Sequence, residues 1–153
     1  MKRFLTILLL AVGFDASAAT FLSENFDNIG TLAGSGWSLQ NNSSPVGQTN
    51  WFQGNPAIFA AQSGAANSYI AANYLNAAPG GNIANWLITP TLSLANGVVV
   101  QFWSRSADIT SGFADRLELR LSTNGSSTNV ADFTTLLLSI NPCLLYTSPS
   151  PRD

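Results

Sequence analysis

The sequence predicts an all-β fold, a jelly-roll-like antiparallel β-sandwich. Short apolar runs rich in β-branched and aromatic residues alternate with Gly, Asn and Pro turn signals along the chain, which is typical of all-β domains. Residues 116–121, Arg-Leu-Glu-Leu-Arg-Leu, place leucines on one face and charged residues on the other, which is the period of a strand. No segment shows a long helical period.

The strands are predicted from these runs in chain order. We expect them at residues 21–26, 37–39, 51–53, 57–61, 68–73, 116–121 and 134–140, with polar loops at 41–50 and 77–82. Residues 86–103 predict a β-hairpin, because two apolar runs flank Asn96-Gly97, and Asn-Gly is the strongest short-range hairpin signal. The leucines at 117, 119 and 121 are expected to face the core.

The first 18 residues have the pattern of an export signal. A basic pair at 2–3 precedes an apolar run at 4–12, and Ala-Ser-Ala at 16–18 fits the small-residue rule for cleavage before Ala19. The apolar run is too short to cross a bilayer. We therefore expect a bacterial protein that is secreted or held at the cell surface. A membrane-anchoring segment is the alternative.

The last residues have a different origin from the domain. Residues 143–153, Cys-Leu-Leu-Tyr-Thr-Ser-Pro-Ser-Pro-Arg-Asp, match one reading frame of a transposase adapter used in short-read sequencing. We expect them to be read-through and not native protein. The domain, residues 19–142, is then expected to be incomplete at its C-terminus, and any anchoring signal there is lost. A natural Pro/Ser-rich tail, disordered by composition, is the alternative.

The composition argues against an enzyme. The chain has no His, and its only Lys and Cys are at positions 2 and 143. Ser-His-Asp, Cys-His and Ser-Lys sites, and zinc centres, therefore lack a necessary residue. Paired carboxylates remain for glycoside hydrolysis, but Asp115 and Glu118 are three apart on an extended stretch and point to opposite faces. Glu118 is expected in a surface ladder between Arg116 and Arg120.

The charge balance excludes another class of partner. Residues 19–142 carry three arginines and six carboxylates, a net charge of −3. Nucleic-acid binding needs a basic surface that neutralises phosphates, so we expect no nucleic-acid partner. The polarity comes from Asn, Ser, Thr and Gln instead, which suits an exported β-protein.

Several segments also occur in the order found in one protein family. They are Phe21–Asp27, Gly36-Trp37, Asn85-Trp-Leu-Ile-Thr-Pro90, Phe102-Trp103, and Asp115–Gly125 with its Ser-Thr-Asn-Gly ending. Together they resemble the choice-of-anchor J and cleaved-adhesin domains of exported bacterial proteins. The resemblance implies a jelly-roll sandwich related to MAM-type domains. It also implies a non-catalytic role in surface adhesion or extracellular matrix assembly, with an extracellular protein or glycan as partner. Such domains continue through further strands, and a sorting helix often follows.

Calcium is the one cofactor that we expect. Jelly-roll modules often hold a structural Ca²⁺ through carboxylate and carbonyl oxygens. Glu24, Asp27 and Asp115 are the candidate ligands, because acidic residues near strand ends can converge in such folds. The competing interpretation is that they are turn or capping residues, as the pair Asp27-Asn28 suggests.

Carbohydrate binding, in a module of an exported protein, is the alternative function. Sugars stack on exposed aromatic faces beside amide side chains. Trp51 follows a polar loop and lies close to Gln53 in the sequence, so these two are the predicted ligand-binding residues. The competing interpretation places Trp51 in the core, because a large aromatic side chain buries much area.

Overall fold

The computed structural model describes residues 20–94, 97–106 and 116–140. Within these ranges the fold is all-β, as predicted, and its only helices are single 3₁₀ turns at Ile29–Thr31, Ala33–Ser35, Tyr74–Asn76 and Val130–Asp132. The strands are β1 (Ser38–Asn41), β2 (Ser44–Val46), β3 (Phe52–Gln53), β4 (Ile70–Ala71), β5 (Ala77–Asn82), β6 (Asn85–Ile88), β7 (Leu117–Leu121) and β8 (Thr135–Ile140).

The described strands form four two-stranded antiparallel sheets. The pairs are β1 with β6, β2 with β5, β3 with β4, and β7 with β8. The β1–β6 pair is regular, with Ser38 opposite Ile88 and Asn41 opposite Asn85. The β2–β5 and β7–β8 pairs each contain a register shift. Because no larger sheet forms within the described ranges, the jelly-roll sandwich stays a prediction.

The buried residues of the described chain all lie between Leu32 and Ile88. Beside apolar Leu32, Trp37, Ala77 and Ile88, this small core contains Ser43, Ser68 and Asn76. Trp37 packs edge-on against Phe26, with ring centroids 5.7 Å apart. A core with so few apolar side chains depends on satisfied polar contacts, since a buried polar group without a partner costs free energy.

The predicted hairpin at 86–103 is wrong. Its first arm contains β6, which pairs with β1, and residues 98–103 form no strand. Asn96, half of the predicted turn, lies outside the described residues. The indole N–H of Trp51 donates to the carbonyls of Gln40 on β1 (3.2 Å) and Trp86 on β6 (3.0 Å), which ties these two strands together. The hairpin was predicted from neighbouring residues alone, and such a local pattern gives no sign of a contact with a residue as distant as Trp51.

Two predicted strands are also absent. Residues 21–26 form no strand, because Phe26 adopts a left-handed φ of 56° that breaks an extended run. Residues 57–61 begin in a turn. The side chain of Asn55 accepts from the backbone N–H of Ala57 at 3.0 Å, and this Asx turn replaces a strand ladder.

Two predicted loops contain strands instead. Residues 77–82 form β5, and Ser44–Val46 within the predicted loop at 41–50 form β2. The pairing joins Ser44 to Asn82 and Val46 to Ala77 and is irregular between them. Pro45 and the Pro79-Gly80-Gly81 run therefore fall in the irregular part, where the ladder does not need their backbone donors.

The remaining strand predictions are confirmed. The predicted strands at 37–39, 51–53, 68–73, 116–121 and 134–140 overlap β1, β3, β4, β7 and β8. The surface ladder is also confirmed, because Glu118 contacts Arg116 at 3.4 Å and Arg120 at 2.6 Å. The predicted core face of β7 is wrong. Leu117 is 40% exposed and no residue of β7 is buried, since no second sheet covers it within the described ranges.

Candidate functional site

Two of the three carboxylates predicted to bind calcium, Glu24 and Asp27, accept hydrogen bonds from other groups of the chain. Glu24 accepts a hydrogen bond from the backbone N–H of Phe26 at 2.7 Å, and Asp27 accepts one from the hydroxyl of Ser68. Asp115 lies outside the described residues. Within the described ranges no three His, Cys, Asp or Glu side chains group as metal ligands. The calcium site stays a prediction. The contact of Glu24 with Phe26 is that of a turn residue, whereas the contact of Asp27 with Ser68 joins segments 41 positions apart.

Trp51, the first predicted sugar-binding residue, is half-buried. Both hydrogen bonds of its indole N–H go to backbone carbonyls, those of Gln40 and Trp86. The indole nitrogen is therefore committed to holding β1 against β6. Only the partly exposed ring surface remains for a ligand, and sugar binding at Trp51 stays a prediction.

Gln53, the second of these residues, has a side-chain amide that is fully occupied. Its Nε2 donates to the carbonyls of Phe26 (2.8 Å) and Asn67 (2.6 Å). Its Oε1 accepts from the backbone N–H of Ile29 at 2.9 Å. The amide thus links three separate segments of the chain, and a sugar hydroxyl would have to displace one of these bonds. Its sugar contact also stays a prediction.

A polar cluster around Asn76 holds the centre of the fold. The Asn76 side chain is fully buried, and its Oδ1 accepts from the hydroxyl of Thr49 (2.8 Å) and the backbone N–H of Asn73 (3.2 Å). Its backbone carbonyl accepts from the Asn41 amide (2.8 Å) and the N–H of Gly47 (2.9 Å). The cluster positions the loops around β2 and β5, and among the described residues only the Nδ2 of Asn76 within it is buried without a hydrogen-bond partner. We assign it a structural role.

A groove of about 330 Å³ separates residues 88–94 from residues 120–133. Two contacts hold its walls together. The Gln40 amide of β1 donates to the Thr128 carbonyl at 2.8 Å. The rings of Trp86 and Phe133 pack with centroids 5.9 Å apart. These contacts place the loop after β7 against the β1–β6 sheet, and the groove follows from that placement.

The lining of the groove combines three kinds of side chain. Among the described residues, apolar groups come from Ile88, Pro90, Leu92, Leu94, Leu121 and Phe133, hydroxyls from Thr89, Thr91, Ser122, Ser126, Ser127 and Thr128, and one charged group from Arg120. An apolar surface with a few polar groups is the usual make-up of a small-ligand site. The groove has this make-up, although it is open to solvent.

Asp132 supports one wall of the groove from outside it. Its carboxylate accepts hydrogen bonds from the hydroxyl of Ser127 and, at 2.8 Å, from the amide of Asn124. These two bonds lower the pKa of Asp132 below its usual value, because they favour the ionised carboxylate. The ionised form keeps the loop in shape.

A second candidate surface is an apolar segment, residues 98–103, which we name the exposed segment. Its sequence is Val-Val-Val-Gln-Phe-Trp. Val99 is 85% exposed and Trp103 is 70% exposed. The segment is followed by Arg105, whose guanidinium lies 4.9 Å from the Phe59 ring centre. Within the described ranges, no backbone hydrogen bond joins the exposed segment to another part of the chain.

Sequence reasoning missed both surfaces. It assigned Arg120 to a surface ladder with Glu118, predicted no role for Ser126, and placed the exposed segment in the hairpin. The run Ser126-Ser127-Thr128 after an Asn-Gly turn is the only local signal for the groove. That this loop lies beside residues 88–94 depends on the Gln40–Thr128 and Trp86–Phe133 contacts, which connect distant positions.

Comparison with known proteins gives no relative. No protein-family model, curated protein or solved structure matches the chain. The resemblance to choice-of-anchor J and cleaved-adhesin domains therefore stays a prediction. Among the residues that the structure describes, no helix has the length and apolar character of a membrane span.

Proposed function

We propose that the chain is an exported, non-catalytic module that binds extracellular proteins, in surface adhesion or matrix assembly, by adding a β-strand to them. The exposed segment is the observation that carries this proposal. It has the β-branched and aromatic composition of a strand. It forms no strand, and its largest side chains face solvent.

Physical chemistry explains why such a segment favours strand addition. Unpaired backbone groups and exposed apolar side chains are a template on which another strand can pair. Sheet edges are usually protected by charges or proline, and residues 98–103 contain neither. β8 offers a second surface of this kind, since Leu136, Leu137 and Leu138 are all exposed. An unpaired apolar segment and a strand with exposed leucines both suit a module that acts through protein contacts.

The binding experiment measures backbone protection. The full chain is incubated with an array of six-residue peptides of alternating Val and Thr, each flanked by lysines for solubility. Hydrogen exchange is then followed at the amides of residues 98–103. We expect fast exchange alone and protection with bound peptide. Val100→Lys should abolish binding, and Ile58→Lys, on an exposed turn, should not. Slow exchange without peptide would show that the segment is already paired and would overturn the proposal.

Export is tested separately. Residues 4–12 provide the apolar part of the leader, and a charge there blocks recognition by the export machinery. Expressed in a bacterium, the chain should leave the cytoplasm and begin at Ala19. Leu9→Arg should retain it, and Thr6→Ser should not. Cytoplasmic retention of the unchanged chain would refute export.

Carbohydrate binding is the second candidate, and the half-buried ring of Trp51 is the observation that favours it. A glycan array with the folded full chain tests it. Trp51→Ala would also lose the two bonds to β1 and β6, so Trp51→Phe is the informative variant because it keeps an aromatic surface. Retained sugar binding in Trp51→Phe and loss in Trp51→Ala, both folded, is the expected result. Absence of any sugar binding by the folded chain would exclude the candidate.

A further inference from the structure

We propose that the groove between residues 88–94 and 120–133 binds a saccharide that carries a carboxylate. This site is separate from Trp51 and from the exposed segment. The proposal rests on the carbohydrate-binding candidate above and gives it a site and a ligand class. It does not depend on the strand-addition proposal.

The size and apolar surface of the groove suit sugar rings. Its volume of about 330 Å³ is at the lower end of the range for small-ligand sites, about 300–1,000 Å³. Pro90, Leu92 and Phe133 supply apolar surface on which the C–H face of a pyranose can pack. Phe133 is held in place by its contact with Trp86, so this surface is preorganised.

Three of the six hydroxyl groups that line the groove have no hydrogen bond among the described residues. Those of Thr91, Ser126 and Thr128 have no side-chain hydrogen bond to any described residue, whereas Ser127 donates to Asp132. Each free hydroxyl can both donate and accept. A ligand that is itself rich in hydroxyls can satisfy both functions. This pairing favours a saccharide over an apolar ligand.

Arg120 supplies the specificity for a carboxylate. Among the described residues, it is the only charged one that lines the groove. Its Nε donates to Glu118 at 2.6 Å and its Nη1 to the Phe133 carbonyl at 3.4 Å, and no described residue accepts from Nη2. Arg116 shares the same Glu118 carboxylate. Two guanidinium groups therefore share the Glu118 carboxylate, and the Asp132 carboxylate behind the groove wall is occupied by Ser127 and Asn124. The Nη2 of Arg120 is the charged donor that the carboxylate of an acidic sugar complements.

The test uses calorimetry on the full chain with trigalacturonate as the probe. Its methyl ester is the matched control ligand, because it keeps the sugar rings and their hydroxyls, removes the charge of the carboxyl groups and adds only a methyl group to each. We expect saturable binding of trigalacturonate that weakens with salt, and at least about tenfold weaker binding of the ester. Absence of trigalacturonate binding by the folded chain, or equal affinity for both ligands, would overturn the proposal. Equal affinity would still leave the carbohydrate candidate standing.

Variants locate the binding in the groove. Arg120→Gln should reduce trigalacturonate affinity to that of the ester. Arg120→Gln also breaks the ion pair with Glu118, so a second variant is needed. Thr128→Val removes the free hydroxyl of Thr128 and keeps the shape of the side chain. It should weaken binding of both ligands about tenfold. Thr123→Val, outside the groove lining, is the control and should have no effect. Unchanged affinity in folded Thr128→Val and Arg120→Gln would place the binding elsewhere and refute the site.

Discussion

Residues 20–88 and the described residues after them are built differently. Every buried residue of the described chain lies in the first region. There, Asn, Gln and Trp side chains bind the backbone of distant segments, as Gln53 and Trp51 do. The second region has the stronger strand-forming sequences, and yet its exposed segment is unpaired and Leu137 on β8 is 52% exposed.

This difference separates strand propensity from strand stability. A β-branched run gains most of its stability from neighbours that cover its apolar face. In the first region, the side-chain hydrogen bonds of Asn76 anchor the start of the Pro- and Gly-containing strand β5, which pairs with β2. In the second region, apolar runs lack a covering sheet within the described ranges. Changes in the first region should therefore alter the free energy of unfolding, and changes in the second should alter association.

Gly54→Ala is expected to lose more stability than the changes at Asn76 and Trp51 below. A Cβ at this buried position would collide with the Tyr69 ring and lie 2.6 Å from the Asn67 carbonyl. Such overpacking should cost about 3 kcal/mol of unfolding free energy. Gly34→Ala is the matched control, because its Cβ would have no neighbour within 4 Å. Urea denaturation followed by circular dichroism measures both. Equal midpoints for the two variants would contradict the described packing of Gly54 against Tyr69.

Removal of the Asn76 side chain is expected to have the next largest effect. Asn76→Ala leaves the Thr49 hydroxyl without one acceptor and the Asn73 N–H without its partner in a buried site. This should cost about 2 kcal/mol. Asn42→Ala is the control, since the Asn42 amide is exposed and makes one long bond of 3.4 Å. A stability of Asn76→Ala equal to that of Asn42→Ala would refute the central role of the polar cluster.

A smaller effect is expected when the clamp between β1 and β6 is removed. Trp51→Phe keeps an aromatic ring and loses the N–H that binds Gln40 and Trp86, which should cost about 1 kcal/mol. Trp103→Phe, in the exposed segment, should leave stability unchanged. Circular dichroism is the suitable signal because both variants alter tryptophan fluorescence. If Trp103→Phe proved the more destabilising of the two, the contrast between the regions would be wrong.

The sequence predicted what depends on local pattern. The alternation at 116–121 correctly placed β7, and the position of Glu118 between two arginines correctly predicted its ion pairs. The pairing of β6 could not be read from the sequence, because the strand is held by the indole of Trp51, 35 positions away from Trp86. The groove escaped prediction for the same reason, since its walls meet through Gln40 and Thr128. Long-range side-chain bonds leave no periodic signal.

Substitutions in the exposed apolar part of the second region should change the solubility of the protein. Its exposed apolar strands predict that residues 19–153, expressed alone, aggregate. Val100→Lys adds a charge to an exposed position. It should raise the soluble fraction measured by light scattering and change the unfolding free energy by less than about 0.5 kcal/mol. Either of two results would show that the exposed segment is covered in the fold. One is a soluble unsubstituted chain with a cooperative melt. The other is a Val100→Lys variant as unstable as Trp51→Phe.

The smallest effect is expected at the loop that carries the groove wall. Hydrogen bonds from Ser127 and Asn124 lower the pKa of Asp132 below its usual 3.8. Because the folded pKa lies below the unfolded one, the contribution to stability is fully present above the unfolded pKa and is lost as the pH falls through the folded pKa. Asp132→Asn should remove this acid-dependent part. Ser127→Ala should raise the pKa of Asp132 toward its usual value in a carboxyl-carbon NMR titration, and Ser126→Ala, whose hydroxyl does not bind Asp132, should not. Equal pKa values in the two serine variants would show that Ser127 does not hold the loop, and the preorganised groove wall would lose its support.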